Sequence, residues 1–326
     1  MRWMLVDTAN ILFRVAAATG KYNSGGSPEE MAGLAMHGAL NTLNKFYKQI
    51  KPDHVAVTFE GAKNWRKAYT ASDACVSKRP YKGNRVKDPS MEPFFELMKG
   101  FEELARNHTS LVCLSNPMLE GDDVFGGFVQ HRTAAGDEVV GVSGDKDFAS
   151  LLKIPNFTLI NPDDGKGRDL VKLCGVNDAE YFMFEKAFRG DPGDNVMSAY
   201  PRVQRKRMMK AFTDEYERTK IMNETWTFKD PETGETTTFR VGDLWEENNI
   251  LMNLEKQPPE IRALIEQTVN DAIDARGRFS FFHFTKFCGK FGLKQIAENG
   301  QQFANLFSGA KPSESTAPKR KSILEF

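Results

Sequence analysis

Leu119–Gly127, LEGDDVFGG, sets three carboxylates within four residues at the point where one kind of periodicity gives way to another. Upstream, Leu111–Leu114 (LVCL) reads as a short buried strand. Downstream, the pattern from Asp122 to Thr133 is helical. The same juncture recurs along the chain. Asp7 follows WMLV, Glu60 follows HVAVTF, Asp145 and Asp147 stand in GVSGDKD, and Asp191 and Asp194 in RGDPGDN. Four further runs read as buried strands: Trp3–Val6, His54–Phe59, Glu138–Val142 and Phe157–Ile160. Helical patterns at Gly33–Ile50, Met91–Arg106 and Lys146–Leu152 lie between them. Strand–helix alternation of this kind predicts an α/β fold with a mostly parallel sheet flanked by helices on both faces. Ligands of such sheets bind beyond the carboxyl ends of the strands, where these nine acids fall.

One acid per helix is explained without any ligand. Asp7 and Asp145 suit helix N-caps, and Asp122 and Asp123 suit the positive end of a helix dipole. Capping does not explain EGDD, DKD and DPGD together. So many like charges in one cleft repel, and hard divalent cations such as Mg²⁺ or Mn²⁺ relieve that repulsion. The chain is therefore expected to handle phosphates through metal ions.

The bulk numbers narrow the class. The 326 residues hold 44 Lys plus Arg against 44 Asp plus Glu, a formal net charge of zero. Neutrality argues against a non-specific DNA coat but allows separate acidic and basic fields. The four cysteines are isolated and read as free thiols of a reducing compartment. No long apolar leader or bilayer-spanning run is visible, so a cytoplasmic, non-membrane location is expected, and a monomer.

The segment Gly61–Pro89 is too long for an ordinary connection. Between Lys63 and Lys87 it carries eight basic residues against the single acid Asp73, with Trp65, Tyr69 and Tyr81 interleaved. That mixture suits a phosphate backbone and unstacked bases, although a solvated charged loop would look similar. A second basic cluster, Arg202, Arg205, Lys206, Arg207 and Lys210, has no intervening acid. Trp226–Val241 reads as a β-hairpin turning at PETGET, with helices expected at Val241–Leu254 and Pro259–Arg276. Phe281, Phe282, Phe284, Phe287 and Phe291 are read as core rather than as a base-stacking surface. The terminal KPSESTAPKRK composition is that of a flexible tail, and it ends in apolar SILEF, a docking element or a meaningless scrap.

In order along the chain, VDTAN (Asp7–Asn10 within it), TFEGAKNWRKAY (Thr58–Tyr69), RPYKGNR (Arg79–Arg85), LEGDDVFGG, VSGDKDFASLL (Val142–Leu152) and RGDPGDNV (Arg189–Val196) resemble the 5′-nuclease superfamily of flap endonucleases and 5′→3′ exonucleases, nearest to its T-even bacteriophage ribonuclease H branch. The resemblance implies that Asp7, Glu60, Glu120 and Asp122 hold one Mg²⁺. Asp145, Asp147 and Asp191, with Asp123 and Asp194 near them, would hold or support a second, Mn²⁺ being able to substitute. It makes the basic segment a helical arch. In that arch Lys82 and Arg85, with Arg66 and Arg79, grip a displaced strand, and Tyr81 stacks on a terminal base. Lys82 and Arg85 join Asp7, Glu60, Asp122 and Asp145 as catalytic residues.

The implied activity is removal of RNA primers and 5′ flaps from branched DNA and RNA–DNA hybrids during lagging-strand synthesis, in a bacterial host if the source is a phage. SILEF resembles sliding-clamp peptides, with Ile323, Leu324 and Phe326 as anchors. A single-strand DNA-binding protein is a further expected partner. The implied organisation is a catalytic domain to residue 196, a mainly helical DNA-binding region over 197–307 and a tail over 308–326.

Two departures stand out. Glu60 occupies a position where the family usually has aspartate. The MSAYPRVQRKRMMKAF stretch after GDPGDNV lacks the glycine-rich turn that the family places beside a potassium ion. Two rival readings, a PIN-type ribonuclease and a non-catalytic binder of branched DNA, are separated from the first by the long basic segment and by cleavage itself.

Overall fold

The computed structural model describes residues 1–22, 25–230 and 233–309. The first half alternates as expected: β1 (Arg2–Asp7), α1 (Thr8–Tyr22), α2 (Pro28–Ile50), β2 (His54–Thr58), α3 (Trp65–Thr70), α4 (Glu92–His108), β3 (Val112–Leu114), α5 (Gly121–Ala134), β4 (Glu138–Val142) and β5 (Phe157–Ile160). Then follow α6 (Leu170–Cys174), α7 (Ala179–Arg189), α8 (Arg205–Thr213), α9 (Glu215–Met222), the hairpin β6 (Thr225–Lys229) and β7 (Thr236–Arg240), α10 (Val241–Met252), α11 (Pro259–Asp274), α12 (Phe281–Lys290), α13 (Lys294–Glu298) and α14 (Gln301–Ser308).

The five strands β1–β5 form one parallel sheet in the order β3-β2-β1-β4-β5. In β1, Met4 and Val6 belong to the core on one face, while Trp3 and Leu5 belong to the core on the other. Burial on both faces explains why the strands read as unbroken apolar runs instead of alternating ones. The strand order runs outward from β1 in opposite directions, to β2 and β3 on one side and to β4 and β5 on the other. The resulting crevice lies at the carboxyl ends, beside Asp7 and Glu60.

Local signals fix the ends of the supporting helices. Ser27 and Glu30 form a capping box at the start of α2, with Pro28 at the first helical position. Asp178 caps α7 by accepting from the N–H groups of Glu180 and Tyr181. That helix stops at Gly190, φ +67°, where a Cβ would lie 2.5 Å from the Val196 carbonyl oxygen. The chain therefore turns at once into Asp191. Gly61 is needed for close approach: a Cβ there would lie 2.2 Å from the Asn116 carbonyl oxygen.

The expected division near residue 196 does not coincide with a break in the core. Phe284, Phe287, Phe303 and Phe307 share one cluster with Met4, Phe46 and Phe101. On the other face, Leu254, Ile265 and Val269 pack with Phe125 and Phe128 of α5. The phenylalanine expectation holds for Phe284 and Phe287. Phe281 and Phe282, 39% and 69% exposed, stay outside the core.

Three other features differ from the sequence reading. Helix α1 adds a segment the periodicity did not mark. Lys146–Leu152 becomes a 3-10 turn over Asp147–Lys153. Between Gly61 and Pro89 the only helix is the six-residue α3, so the segment is a chain of turns lying on the protein, not a helical arch. The hairpin forms as expected, with Gly234 at φ +75°.

Candidate metal centre and its basic rim

The nine acids fall into two sets according to what faces them. In the first set, Asp7 ends β1, 7% exposed, and accepts from the Asn10 N–H at 3.1 Å and the Ser143 hydroxyl at 2.7 Å. Burial, then repulsion from Glu60 and Asp145, pushes its carboxyl up to about 7 despite those two hydrogen bonds. Glu60, just past β2, accepts the Gly121 N–H at 3.1 Å; the protein crowded around it and Glu120 raise its pKa against Lys82, although the residue keeps an exposed surface. Asp122, in the first turn of α5, has no hydrogen bond or ion pair with any described residue. Its pKa lies well above the carboxylate range through burial and the charges of Asp145, Asp7 and Glu60. Asp145 accepts the Asp147 N–H at 2.8 Å. None of these four carboxylates makes an ion pair among the described residues.

Four hard oxygen donors that repel one another and make no ion pair, with Lys82 acting on Glu60 and Arg168 on Asp145 only from farther off, fit a divalent cation. At 4 Å a like-charge pair costs about 4 kcal/mol at an effective dielectric of 20. Among the described residues no three acidic, histidine or cysteine side chains are drawn into a closed cage.

In the second set every acid but Asp191 meets a basic side chain. Asp123, 0% exposed, accepts from Arg66 Nη1 at 2.8 Å and Nη2 at 2.7 Å, Trp65 Nε1 at 3.0 Å, Gln257 Nε2 at 3.0 Å and the Glu120 N–H at 3.0 Å. Burial alone would raise its pKa, but Arg66 holds it below the usual range. With its oxygens taken by these donors, Asp123 is the buried partner of Arg66 and offers no free oxygen to a cation in this structure. That corrects its expected role.

Glu120 is held by Arg66 Nη1 at 3.1 Å, Asn64 Nδ2 at 2.6 Å and Lys82 Nζ. Asp194 takes Arg85 Nη2 at 2.6 Å, with Lys82 Nζ 4.0 Å away. Asp147 pairs with Lys186. Asp191 is only half-buried and accepts the Gly193 N–H at 2.9 Å.

The basic segment is likewise partly structural. Arg66, expected to grip a strand, is 2% exposed. It also donates from Nε to the Leu251 carbonyl at 2.6 Å, which rules out that contact here. Tyr81, expected to stack on a base, is 6% exposed. Its hydroxyl lies 2.7 Å from Asp194 Oδ2 and 3.0 Å from Glu120 Oε2, and its ring packs near Val196 and Leu251. Both were misread because composition does not tell a basic or aromatic side chain on a rim from one that fastens the rim down.

Lys82 adopts φ +57° and donates its N–H to the Asp194 carbonyl at 2.8 Å, so the segment is folded back onto the site. Arg79 lies 4.9 Å above the Phe228 ring of the hairpin, and Arg85 stays exposed. In the second cluster, Arg205 pairs with Glu185, Arg207 with Glu224 and Lys210 with Glu217. Arg202 and Lys206 are exposed without an ion pair to a described residue. Ile323, Leu324 and Phe326 lie outside the described residues. Among those described, no helix is long and apolar enough to cross a membrane.

Sequence reasoning passed over Ser143 and Asn10, which orient Asp7 and the Gly144 backbone, and Lys186. The serine was visible in VSGD. Lys186 had no local signal, because its partner lies thirty-nine residues away, 186 minus 147.

Comparisons with known proteins agree with this architecture. Over 207 residues, 59% of this chain, it is 26% identical to DNA polymerase I of Streptococcus pneumoniae, covering 22% of that protein. Over 127 residues it is 31% identical to the flap endonuclease of Escherichia phage T5, covering 36% of this chain and 43% of that one. The chain thus spans less than a quarter of the length of the polymerase.

A bacteriophage T5 protein co-crystallised with metal ions superposes with a TM-score of 0.60 at 19% identity, over 84% of this chain and 99% of that one. The T5 flap endonuclease complexed with DNA and metal ions gives 0.58 at 19% identity, over 84% and 100%. At that identity the likeness is one of fold. Residues 2–180 match the 5′-3′ exonuclease N-terminal resolvase-like domain, and the chain belongs to that family.

Proposed function

We propose that this protein is a divalent-cation-dependent 5′ nuclease that hydrolyses phosphodiesters at 5′ flaps and 5′ ends. The observation that carries the reading is the quartet Asp7, Glu60, Asp122 and Asp145, mutually repelling and without an ion pair, at the carboxyl edge of the sheet. Mg²⁺, with Mn²⁺ as a substitute, is the cation class this donor set suits. The quartet would hold a first ion, with Asp147 and Asp191 beside a second. A bound ion supplies Lewis acidity and a more acidic water. Ser143 and Asn10 fix the Asp7 oxygens. Arg85, with Arg202 and Lys206 farther along, offers exposed cations to the phosphate backbone, and half-buried Arg79 stands beside them. Lys82, released from Glu120, would neutralise the phosphate nearest the cleft.

In this reading the substrates are branched DNA and RNA–DNA hybrids of lagging-strand replication, met in a host cytoplasm. A sliding clamp and a single-strand DNA-binding protein are candidate partners. The test is an end-labelled duplex with a 5′ flap, incubated with Mg²⁺ or with EDTA, beside Asp122→Asn. Cleavage near the junction that needs the metal and vanishes in the variant is expected. Binding without cleavage in Mg²⁺ and Mn²⁺ would instead favour the non-catalytic binder.

A further inference from the structure

A groove of about 800 Å³ opens between the first turns of α2 and α4 and the turn that joins α12 to α13. None of the nine acids lines it. Its floor is apolar: Ala32, Leu97 and Leu293 are buried, while Leu34 on the lip is 42% exposed. The two walls carry opposite charge. Glu29, Glu30 and Glu96 stand on the α2–α4 side, and Lys290 and Lys294 on the other. All five are exposed, and none is ion-paired with a described residue. An apolar floor inside a charged rim is the form of a surface that receives a peptide. The carboxylates argue against a phosphate backbone there.

The sequence beyond the described residues carries a complementary piece. Lys319, Arg320 and Lys321 are consecutive bases, and Ile323, Leu324 and Phe326 surround the single acid Glu325. With its bases on the α2–α4 wall, this segment brings Glu325 toward Lys290 and Lys294 and lays its apolar side chains over the floor. The tether is long enough. Gly309, the last described residue, follows α14, which is fastened to α2 where the Tyr47 hydroxyl donates to the Asn305 carbonyl at 3.1 Å. From Tyr47 back to Leu34 is thirteen residues of helix, 47 minus 34, or about 20 Å. From Gly309 to Ser322 is also thirteen residues, 322 minus 309, with a reach of up to about 43 Å.

We propose that this groove holds Lys319–Phe326 of the same chain. A segment so held is withheld from other proteins until a competing partner draws it out. A short tether gives an effective concentration on the order of 1 mM, so a contact with a Kd of about 0.1 mM keeps the segment docked in about nine chains of ten. The docking does not rest on the metal-dependent reading, and its test uses neither metal nor DNA.

The test is photo-crosslinking of the full chain with Phe326 replaced by p-benzoylphenylalanine, the links being mapped by mass spectrometry. Links within one chain to residues 29–37 or 290–295 are expected. Leu34→Glu places a charge on the apolar lip and should lower their yield by at least about two-fold, circular dichroism checking that the variant folds. Mixing with isotope-labelled chains separates links within a chain from links to a second copy. A second measurement titrates a fluorescent peptide of the sequence Lys319–Phe326 into two full chains, the wild type and Ile323→Asp/Phe326→Asp. The variant, whose own segment cannot dock, should bind the peptide about ten-fold more tightly in apparent affinity. The proposal is overturned by links that join two chains or fall elsewhere on the surface. It is equally overturned by a yield indifferent to Leu34→Glu, by equal affinity of the two chains for the peptide, or by no binding to the variant.

Discussion

Arg66 and Asp123 face each other in a two-pronged contact, Nη1 at 2.8 Å and Nη2 at 2.7 Å, with both side chains out of solvent. Removing one partner would leave the other charge buried and unpaired. Arg66→Ala is expected to destabilise the fold by about 3–5 kcal/mol, and Arg66→Lys by somewhat less, because lysine lacks the planar fork. Urea denaturation of the metal-free protein checks this. A loss below about 1 kcal/mol, within the range of exposed pairs, would contradict the buried geometry.

The same pair shows what the sequence could and could not convey. The strands were legible because Trp3, Met4, Leu5 and Val6 are apolar on both faces, and the acids were legible because they end such runs. Which acid keeps its charge free is a question of distant partners. Asp122 and Asp123 are adjacent in sequence and chemically alike. One meets Arg66 and Gln257, and the other meets only acids. Helices α12 and α14 could not be assigned to the first core from local pattern, since Phe303 and Phe307 pack against residues more than two hundred positions earlier.

Stability of the metal-free protein should fall as pH rises. Burial and the neighbouring acids raise the folded-state pKa of Asp7 to about 7 and shift Asp122 and Glu60 upward. A carboxyl whose folded pKa is raised contributes its stability fully below the unfolded value near 4 and loses it as pH climbs to the folded one. The Asp7 shift corresponds to roughly 4 kcal/mol across that window. Melting in EDTA between pH 5 and 8 should therefore show the decline. Asp122→Asn should flatten it and raise the melting temperature at pH 8, while Mg²⁺ should restore the wild type. A variant less stable than wild type at pH 8 without metal would show that Asp122 is not repelled.

Tyr81→Phe isolates the fastening of the basic segment. The variant keeps the ring between Val196 and Leu251 but loses the hydroxyl shared between Asp194 and Glu120. A hydrogen bond to a charged acceptor contributes about 1.5–3 kcal/mol. The expected result is faster proteolysis confined to residues 61–89, with the melting temperature lowered by a few degrees. Glu247, 2% exposed and accepting from the Val76 and Ser77 N–H groups, anchors the same segment from α10. Glu247→Ala should increase cutting near Val76 further. Unchanged cutting in both variants would mean that other contacts hold the segment down.

At position 60 the structure supplies a reason for glutamate over the shorter aspartate. The Glu60 Oε2 reaches the Gly121 N–H at 3.1 Å, an otherwise free donor in the first turn of α5. A Cβ on Gly121 would stand 3.1 Å from Oε1, so side chain and helix end already touch. Glu60→Asp withdraws the carboxylate by one methylene and leaves that donor without its partner, at a cost of about 1 kcal/mol. Glu60→Gln keeps an oxygen at the same reach and removes only the charge. The two substitutions should therefore separate. Without metal, Glu60→Gln should melt at or above the wild type and Glu60→Asp below it. In flap cleavage Glu60→Asp should retain most activity, whereas Glu60→Gln should lose about a hundred-fold or more, because a neutral amide is a poorer ligand for a hard cation. Equal melting of the two would remove the role of the Gly121 contact, and equal cleavage would remove Glu60 from the metal centre.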